Sequence, residues 1–204
     1  ISVAKNCLTH HLRGGDTMKI NFHAHAFPEA FFRKIKEYYP AESSGLHAPQ
    51  TAAGDQDDDI PPLLAFPADT TLSTMKLLYS GLFERLPNLI LILAHLGGRL
   101  PYLARRIDLG FDDHHFSDKY RQIPCRPSEY MHKRYFDTAL GWHKPAFDCA
   151  CELVGLDHLV YGSDFFMAGS QFMDWTNSFL ESLPLSKGEK QKIYSGNAER
   201  FLKL

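Results

Sequence analysis

The apolar run 89–94, LILILA, is the feature that most constrains what this chain can fold into. A continuous apolar run of this kind is expected of a strand that is buried on both faces, as in a parallel sheet. The run ends at His95, and the segment that follows it predicts a helix. Further strands are predicted at 19–24, 134–138 and 158–161, and further helices at 28–39, 69–86, 144–154, 175–183 and 197–204. Ser186 and Glu189 predict a capping box at the start of another helix. Short strands that alternate with helices imply parallel βαβ units, and therefore an α/β fold.

Two of these strands end in a polar, titratable residue. His95 directly follows the apolar run, and Asp164 follows the strand 158–161 after a Gly-Ser pair. In parallel α/β folds the carboxyl edge of the sheet carries the active site. A histidine or a carboxylate there can bind a metal ion or move a proton. Each residue also has a structural alternative: His95 as a cap on the glycine turn that follows it, and Asp164 as an Asx turn or a helix N-cap.

A pair of histidines, His23 and His25, lies at the end of the first predicted strand. Residues two positions apart on a strand point to the same face, so the two imidazoles can meet at one metal ion. The alternative is a pair of unrelated histidines near a strand end. Three strand ends that each present a ligand-type residue favour a site over three separate coincidences.

Charge and cysteine content exclude several classes of function. The formal net charge is -2, so no bulk field attracts nucleic acid or an anionic membrane surface. No apolar run approaches the ~20 residues that are needed to span a bilayer. The 4 cysteines show no CxxC spacing, which favours reduced thiols and a cytoplasmic protein. Among 11 histidines, most have polar neighbours and are expected to be solvated.

Two segments are expected to lie outside the regular fold. Residues 1–17 contain no apolar signal-peptide core, and the segment that begins at Met18 reads like a natural start. We therefore interpret residues 1–17 as an extension and residues 18–204 as one domain. The segment 40–62 is rich in Pro, Gly, Ser, Ala and Asp, and it predicts a long loop.

Five segments together carry a family resemblance: INFHAHAFPEAF, FPADTTLSTMKLLYSGLFERLPNLILILAHLGGRLPYLARRID, YFDTA, LVYGSDFF and the terminal GNAERFLKL. In this order, they resemble the amidohydrolase-related family that contains aminocarboxymuconate-semialdehyde decarboxylase. The long middle segment is the most specific of the five, whereas the His-x-His pair alone is not specific.

The resemblance implies a (β/α)8 TIM-type barrel with one divalent metal ion, zinc in the first place and manganese as an alternative. His23 and His25 match the metal ligands of the first strand, and Asp164 matches the metal-binding aspartate of the eighth. His95 matches the sixth-strand histidine that works on the metal-bound water. Arg106 matches an arginine that reaches the substrate carboxylate of a neighbouring subunit, although an ordinary helix-surface arginine fits this position as well.

The sequence departs from the family's pattern in length. A full barrel takes ~250 residues, and only the first, sixth, seventh and eighth strands can be placed here. The predicted loop 40–62 stands where the second to fifth strands are expected. His47, within that loop, is a weak match for the missing fifth-strand metal ligand, because no apolar strand precedes it. We therefore predict an incomplete barrel, whose open sheet edges favour a dimer or a higher homo-oligomer.

The expected function is that of a metal-dependent decarboxylase (carboxy-lyase) or hydrolase that uses metal-activated water. Its substrate would be a small molecule that bears a carboxylate. The alternative is an internally deleted, inactive relative that serves as an interaction module or is a non-functional fragment. Nucleic-acid binding has little support, since no basic stripe with interleaved aromatic residues is present.

Overall fold

The computed structural model describes residues 61–113, 115–116, 122–139, 141–165 and 170–204. The predicted strand 19–24, the predicted helix 28–39 and all but the last two residues of the predicted loop 40–62 lie outside these ranges. The described residues divide between two compact units. The first unit contains residues 90–96 and 132–204, and the second contains residues 61–89 and 97–131.

Helices and short strands alternate along the described chain, as the sequence predicts. In chain order they are Phe66–Tyr79 (α1), Leu82–Arg85 (α2), Ile92–Leu93 (β1), Leu100–Asp112 (α3), Pro127–Met131 (α4), Tyr135–Asp137 (β2), Lys144–Val154 (α5), Leu159–Val160 (β3), Ser170–Ser182 (α6), Lys187–Gln191 (α7) and Asn197–Leu202 (α8). Single helical turns occur at Pro61–Ala65, Leu156–His158 and Lys192–Gly196.

The three strands form one parallel sheet in the order β1-β2-β3. Leu93 is paired with Phe136, and Phe136 is paired with Leu159 on the other side. Phe136, Leu159 and Val160 are fully buried, and each such side chain contributes about 1.5–3 kcal/mol through the hydrophobic effect. The central position of β2 means that its carboxyl end lies between the carboxyl ends of the other two strands. The predicted parallel α/β architecture is confirmed within this unit.

The strands are shorter than the sequence predicts. The apolar run predicts a strand over 88–94, but only Ile92 and Leu93 pair with β2. Leu89 donates instead to the carbonyl of Leu86 in a turn, and Ile90 is 46% exposed. The expectation that the whole run is buried on both faces is therefore wrong, since Leu93 alone in this run is buried.

The helix predicted over 69–86 is interrupted. Gly81 adopts a left-handed conformation (φ 72°) between α1 and α2, and its N–H bonds to the carbonyl of Leu78. Glycine reaches this conformation without a steric penalty, so the chain turns here although the apolar periodicity continues. By contrast, the predicted helix 144–154 and the predicted capping box of Ser186 and Glu189 are both confirmed.

The helices of the described residues are short or amphipathic, and none of them is long and apolar enough to cross a membrane.

In the second unit, the carboxylate of Asp108 accepts hydrogen bonds from the backbone N–H (3.0 Å) and the hydroxyl (2.8 Å) of Ser128. Asp108 thereby joins α3 to the first turn of α4, where a negative charge also complements the helix dipole.

Candidate functional site

His95 lies in a left-handed turn directly beyond the carboxyl end of β1. Its φ is 56° and that of Leu96 is 54°. Two consecutive non-glycine residues in this region are unusual, and such backbone strain persists only where the surroundings fix it. Leu96 is 4% exposed and packs so closely on Gly141 that a Cβ there would lie 2.6 Å from Cδ1 of Leu96. A glycine at 141 therefore allows the turn to seat against the sheet.

The carboxylate of Asp137, the last residue of β2, holds this turn. Its Oδ1 accepts the backbone N–H of His95 (2.9 Å) and the backbone N–H of Ala139 (3.0 Å). Asp137 is 3% exposed, so both bonds lie away from water. A hydrogen bond to a charged group contributes about 1.5–3 kcal/mol, which is of the size needed to offset the strain at His95.

The imidazole of His95 has a defined neighbour in the same region. Its Nδ1 lies 3.4 Å from the carbonyl oxygen of Ala139. Because a carbonyl oxygen can only accept a hydrogen bond, this contact favours the tautomer that carries the proton on Nδ1. Nε2 is then left to accept a proton when the ring is neutral, which is the state that a general base needs.

Asp164 lies beyond the carboxyl end of β3 and is also left-handed, with φ 57°. It is 5% exposed, and the two residues before it are buried. Thr138 holds this segment from β2: its hydroxyl donates to the carbonyl of Gly162 and accepts the N–H of Gly162, both at 3.1 Å. Asp164 is thus a buried carboxylate on a backbone that a second strand holds in place.

Positive φ angles mark this edge of the sheet. Among the described residues, the non-glycine positions with positive φ are His95, Leu96, Asp164 and Lys203. Three of these four follow β1 or β3. Asp137, the last residue of β2, and Thr138, which follows it, bond to the two segments concerned. Strained backbone is typical of functional sites, where it aims side chains in directions that regular strands do not allow.

Only part of the predicted metal site falls within the described chain. Of the three predicted ligands, Asp164 is described, whereas His23 and His25 lie outside the described ranges, as does His47. A buried carboxylate suits a divalent cation. Within the described part of the chain, no group of three or more His, Cys, Asp or Glu side chains could hold a metal ion. The assignment of Asp164 as a metal ligand stays a prediction, as do those of His23 and His25.

Arg106, the predicted substrate-binding arginine, lies on α3 in the second unit and is exposed. The neighbouring Arg105 pairs with Asp112 at 2.8 Å, and Arg126 pairs with the other oxygen of Asp112 at 2.7 Å. These two arginines lower the pKa of the Asp112 carboxyl below its usual value. Arg126 thereby joins the end of α3 to the residue before α4, whereas Arg106 is not part of this ion-pair group.

Sequence reasoning missed Asp137 and Thr138. The segment 134–138 was assigned as a strand, but its polar carboxyl end was not included among the candidate site residues. The signal was available, since an aspartate directly follows buried aromatic residues just as His95 follows LILILA. What the sequence did not reveal is that this carboxylate points at the backbone of the preceding strand's end.

The residues that build this edge fall within a match to a known family. A family model described as Amidohydrolase matches residues 20–204. The chain belongs to the amidohydrolase family. The decarboxylase-like resemblance is also confirmed, because this chain is 31% identical over 147 residues to 2-amino-3-carboxymuconate-6-semialdehyde decarboxylase of Dictyostelium discoideum. That alignment covers 71% of this chain and 40% of the relative.

Solved structures resemble this chain as well. A crystal structure of 2,6-dihydroxybenzoate decarboxylase complexed with 2,6-dihydroxybenzoate has a TM-score of 0.61 at 26% identity, over 70% of this chain and 43% of that chain. A dihydroxybenzoic acid decarboxylase from Polaromonas sp. JS666, with bound manganese and the inhibitor 2-nitroresorcinol, has a TM-score of 0.60 at 23% identity, over 92% of this chain and 50% of that chain. The amidohydrolase-type fold is thereby supported, and the incomplete barrel stays a prediction.

The matched proteins are considerably longer than this chain. The chain spans 40% of the length of the Dictyostelium relative and 43% of the 2,6-dihydroxybenzoate decarboxylase chain. The activities and ligands named above are therefore properties of those longer proteins. We assign them to this chain only as proposals.

Proposed function

We propose that this chain is a metal-dependent decarboxylase of the amidohydrolase superfamily that acts on a small aromatic or muconate-like carboxylate, with hydrolysis as the other family reaction. The observation that carries this proposal is the pair of strained strand ends: His95 and Asp164 are both left-handed, and both segments are bonded to β2. The similarity to decarboxylases of aminocarboxymuconate semialdehyde and dihydroxybenzoate favours decarboxylation over hydrolysis.

In this proposal His95 is the general acid/base and Asp164 is a metal ligand together with His23 and His25. A divalent ion bound there, zinc or manganese, would supply Lewis-acid polarisation of a substrate oxygen. His95 exchanges its proton at Nε2, since Nδ1 faces the Ala139 carbonyl. When the bond between the ring carbon and the carboxylate breaks, the electron pair stays on the carbon. That carbon takes the proton that the protonated His95 ring carries on Nε2, carbon dioxide leaves, and the neutral ring regains a proton from solvent.

Arg106 has the role of binding the substrate carboxylate in a neighbouring subunit. Its exposure on α3 supports this role, because an exposed guanidinium is available to another chain. The role requires a homo-oligomer, and we expect a dimer or a larger assembly in light scattering. A chain that is monomeric at micromolar concentration would remove the basis for this role of Arg106. Arg106→Ala is the variant that tests this role. Arg105→Ala is its matched control, since Arg105 pairs with Asp112 on the same helix.

The deciding experiment is the measurement of bound metal per chain. We expect near-stoichiometric zinc or manganese in the wild-type protein. Metal should be lost in the double variant His23→Ala/His25→Ala and in Asp164→Asn, but retained in the control His132→Ala, which removes an exposed histidine. The loaded protein is then assayed for carbon dioxide release from 2,6-dihydroxybenzoate and related hydroxybenzoates.

The same measurement separates the proposal from its alternative, an inactive relative that serves as an interaction module. An enzyme of this kind needs the metal, and an interaction module does not. Folded wild-type protein without bound metal, even after incubation with zinc or manganese, would refute the enzymatic proposal. Metal that is bound equally well by Asp164→Asn would refute the role of Asp164.

A further inference from the structure

We propose that Asp137 is a positioning residue that fixes the tautomer of His95. Its carboxylate keeps Nδ1 of the imidazole at the Ala139 carbonyl and leaves Nε2 as the working nitrogen. The catalytic consequence of this inference rests on the proposed function, whereas the tautomer itself does not.

The argument begins with the single oxygen that joins the two residues. Oδ1 of Asp137 accepts the N–H of His95 at 2.9 Å and the N–H of Ala139 at 3.0 Å. These residues are 44 positions apart along the chain, yet one buried atom sets the distance between their backbones. The bond to Ala139 is an Asx-type turn, which forms locally and is common for aspartate. The bond to His95 fixes the backbone of the histidine relative to this turn.

The second step concerns the atoms that this arrangement brings together. Asp137 accepts the backbone N–H of Ala139, and the carbonyl of Ala139 faces the imidazole. Asp137 also accepts the backbone N–H of His95, whose ring carries Nδ1. At 3.4 Å, the Nδ1 contact is long for a hydrogen bond, so the imidazole alone does not enforce it. The backbone on both sides must be kept in place for the contact to persist, and Asp137 does this.

The third step is the strain at His95. A β-carbon-bearing residue with φ 56° relaxes toward ordinary backbone angles when nothing holds it. Relaxation would rotate the side chain away from Ala139, and the ring would then lose the acceptor that selects Nδ1–H. The two neutral tautomers would mix, and the nitrogen that faces the substrate would no longer be defined.

The experiment is a long-range ¹H–¹⁵N correlation spectrum of the full chain with ¹⁵N-labelled histidine, at a pH where the ring is neutral. The His95 signals are assigned by their loss in His95→Gln. We expect the Nδ1–H tautomer in the wild type and in Asp137→Asn, whose amide oxygen can still accept both N–H groups. Asp137→Ala should show a mixture or a switch to Nε2–H. Asp148→Ala, which removes an exposed carboxylate on α5, is the control and should match the wild type.

The outcomes separate this inference from the proposed function. An Nε2–H tautomer in the wild type, or a tautomer that Asp137→Ala leaves unchanged, overturns the inference whether or not the protein is active. An Asp137-dependent Nδ1–H tautomer in protein without activity keeps the inference and refutes only the enzymatic proposal. If Asp137→Ala does not fold, Asp137→Ser replaces it, since its shorter hydroxyl keeps the local turn at Ala139 but does not reach His95. In active protein, Asp137→Ala should lower kcat about 10–100-fold with KM nearly unchanged, and Asp137→Asn should recover most of the rate.

Discussion

Thr138 and Gly162 form a closed pair of hydrogen bonds: one hydroxyl both donates to the carbonyl and accepts from the N–H of the same glycine, at 3.1 Å each. Thr138 lies directly after β2, and Gly162 lies two residues before Asp164. All of these residues are buried. The pair therefore fixes the segment that aims the Asp164 carboxylate.

Thr138→Val should destabilise the fold and weaken metal binding together. Valine has nearly the same shape but no hydroxyl, so two buried backbone groups of Gly162 lose their partner. Each unsatisfied group costs about 1–3 kcal/mol. Urea unfolding and zinc titration are the measurements. Thr138→Ser, which keeps the hydroxyl, is the control and should bind metal almost normally; equal stability of the valine and serine variants would contradict the prediction.

Gly98→Ala should unfold the protein at a lower urea concentration. Gly98 has φ 66°, and an added Cβ would lie 2.5 Å from the backbone carbonyl oxygen of Pro67, which cannot move out of the way as a flexible side chain can. A substitution at such a position costs more than the ~0.4–1 kcal/mol that glycine replacement yields at a compatible site. Gly188→Ala is the matched control. Nothing lies within 4 Å of its added Cβ, and it lies in α7, so the same change should be neutral or stabilising there.

Asn197→Ala should cost about 2–6 kcal/mol, because it leaves two backbone carbonyls without their donor. The Nδ2 group of Asn197 donates to the carbonyls of Leu156 (2.8 Å) and Leu159 (2.7 Å), and Asn197 is 2% exposed. Asn197→Asp tests the same bonds with a side chain of equal size, since its carboxylate would face two carbonyl oxygens. We expect it to be at least as destabilising as alanine in thermal unfolding at pH 7. A stable aspartate variant would show that these bonds do not hold α8 to β3.

Folding stability should fall as the pH rises above about 10. Burial raises the pKa of the Tyr194 and Tyr161 hydroxyls above their ordinary value of 10.0, and in Tyr194 the bond to Glu181 (2.7 Å) raises it further. A raised folded-state pKa means that this stability is fully present below pH 10 and is lost above it, where the unfolded chain ionises first. The slope is about 1.4 kcal/mol per pH unit for each such tyrosine.

Urea unfolding between pH 8 and 11 measures this effect. Tyr194→Phe should lower the stability at pH 8, because it removes the bond to Glu181, but it should flatten the decline above pH 10. Tyr102→Phe is the control, since Tyr102 is 85% exposed and should leave the slope unchanged. A slope that is identical in wild type and Tyr194→Phe would mean that Tyr194 does not keep its proton in the folded state.

The order of strands and helices, and the positions of two predicted site residues at strand ends, could be predicted from the amino-acid sequence alone. The period of apolar residues fixes element type locally, so the helix 144–154, the capping box at Ser186 and the placement of His95 and Asp164 at strand ends were accessible from sequence alone. The family followed from motifs that the match over residues 20–204 confirms. The metal ligands His23 and His25 stay predictions, because they lie outside the described residues.

The length of the strands and the hydrogen bonds that hold their ends could not be predicted without the tertiary structure. The apolar run predicts a strand over 88–94, but pairing needs a partner backbone: Ile92 and Leu93 pair in register with β2, and the carbonyl of Leu91 accepts the N–H of Tyr135. The hydrogen bonds of Asp137 and Thr138 could not be predicted from the sequence for the same reason. Their residue types are written in the sequence, yet the bonds to His95 and Gly162 join positions 42 and 24 apart. A hydrogen bond between distant residues forms only when the fold brings both groups together, so no local pattern encodes it.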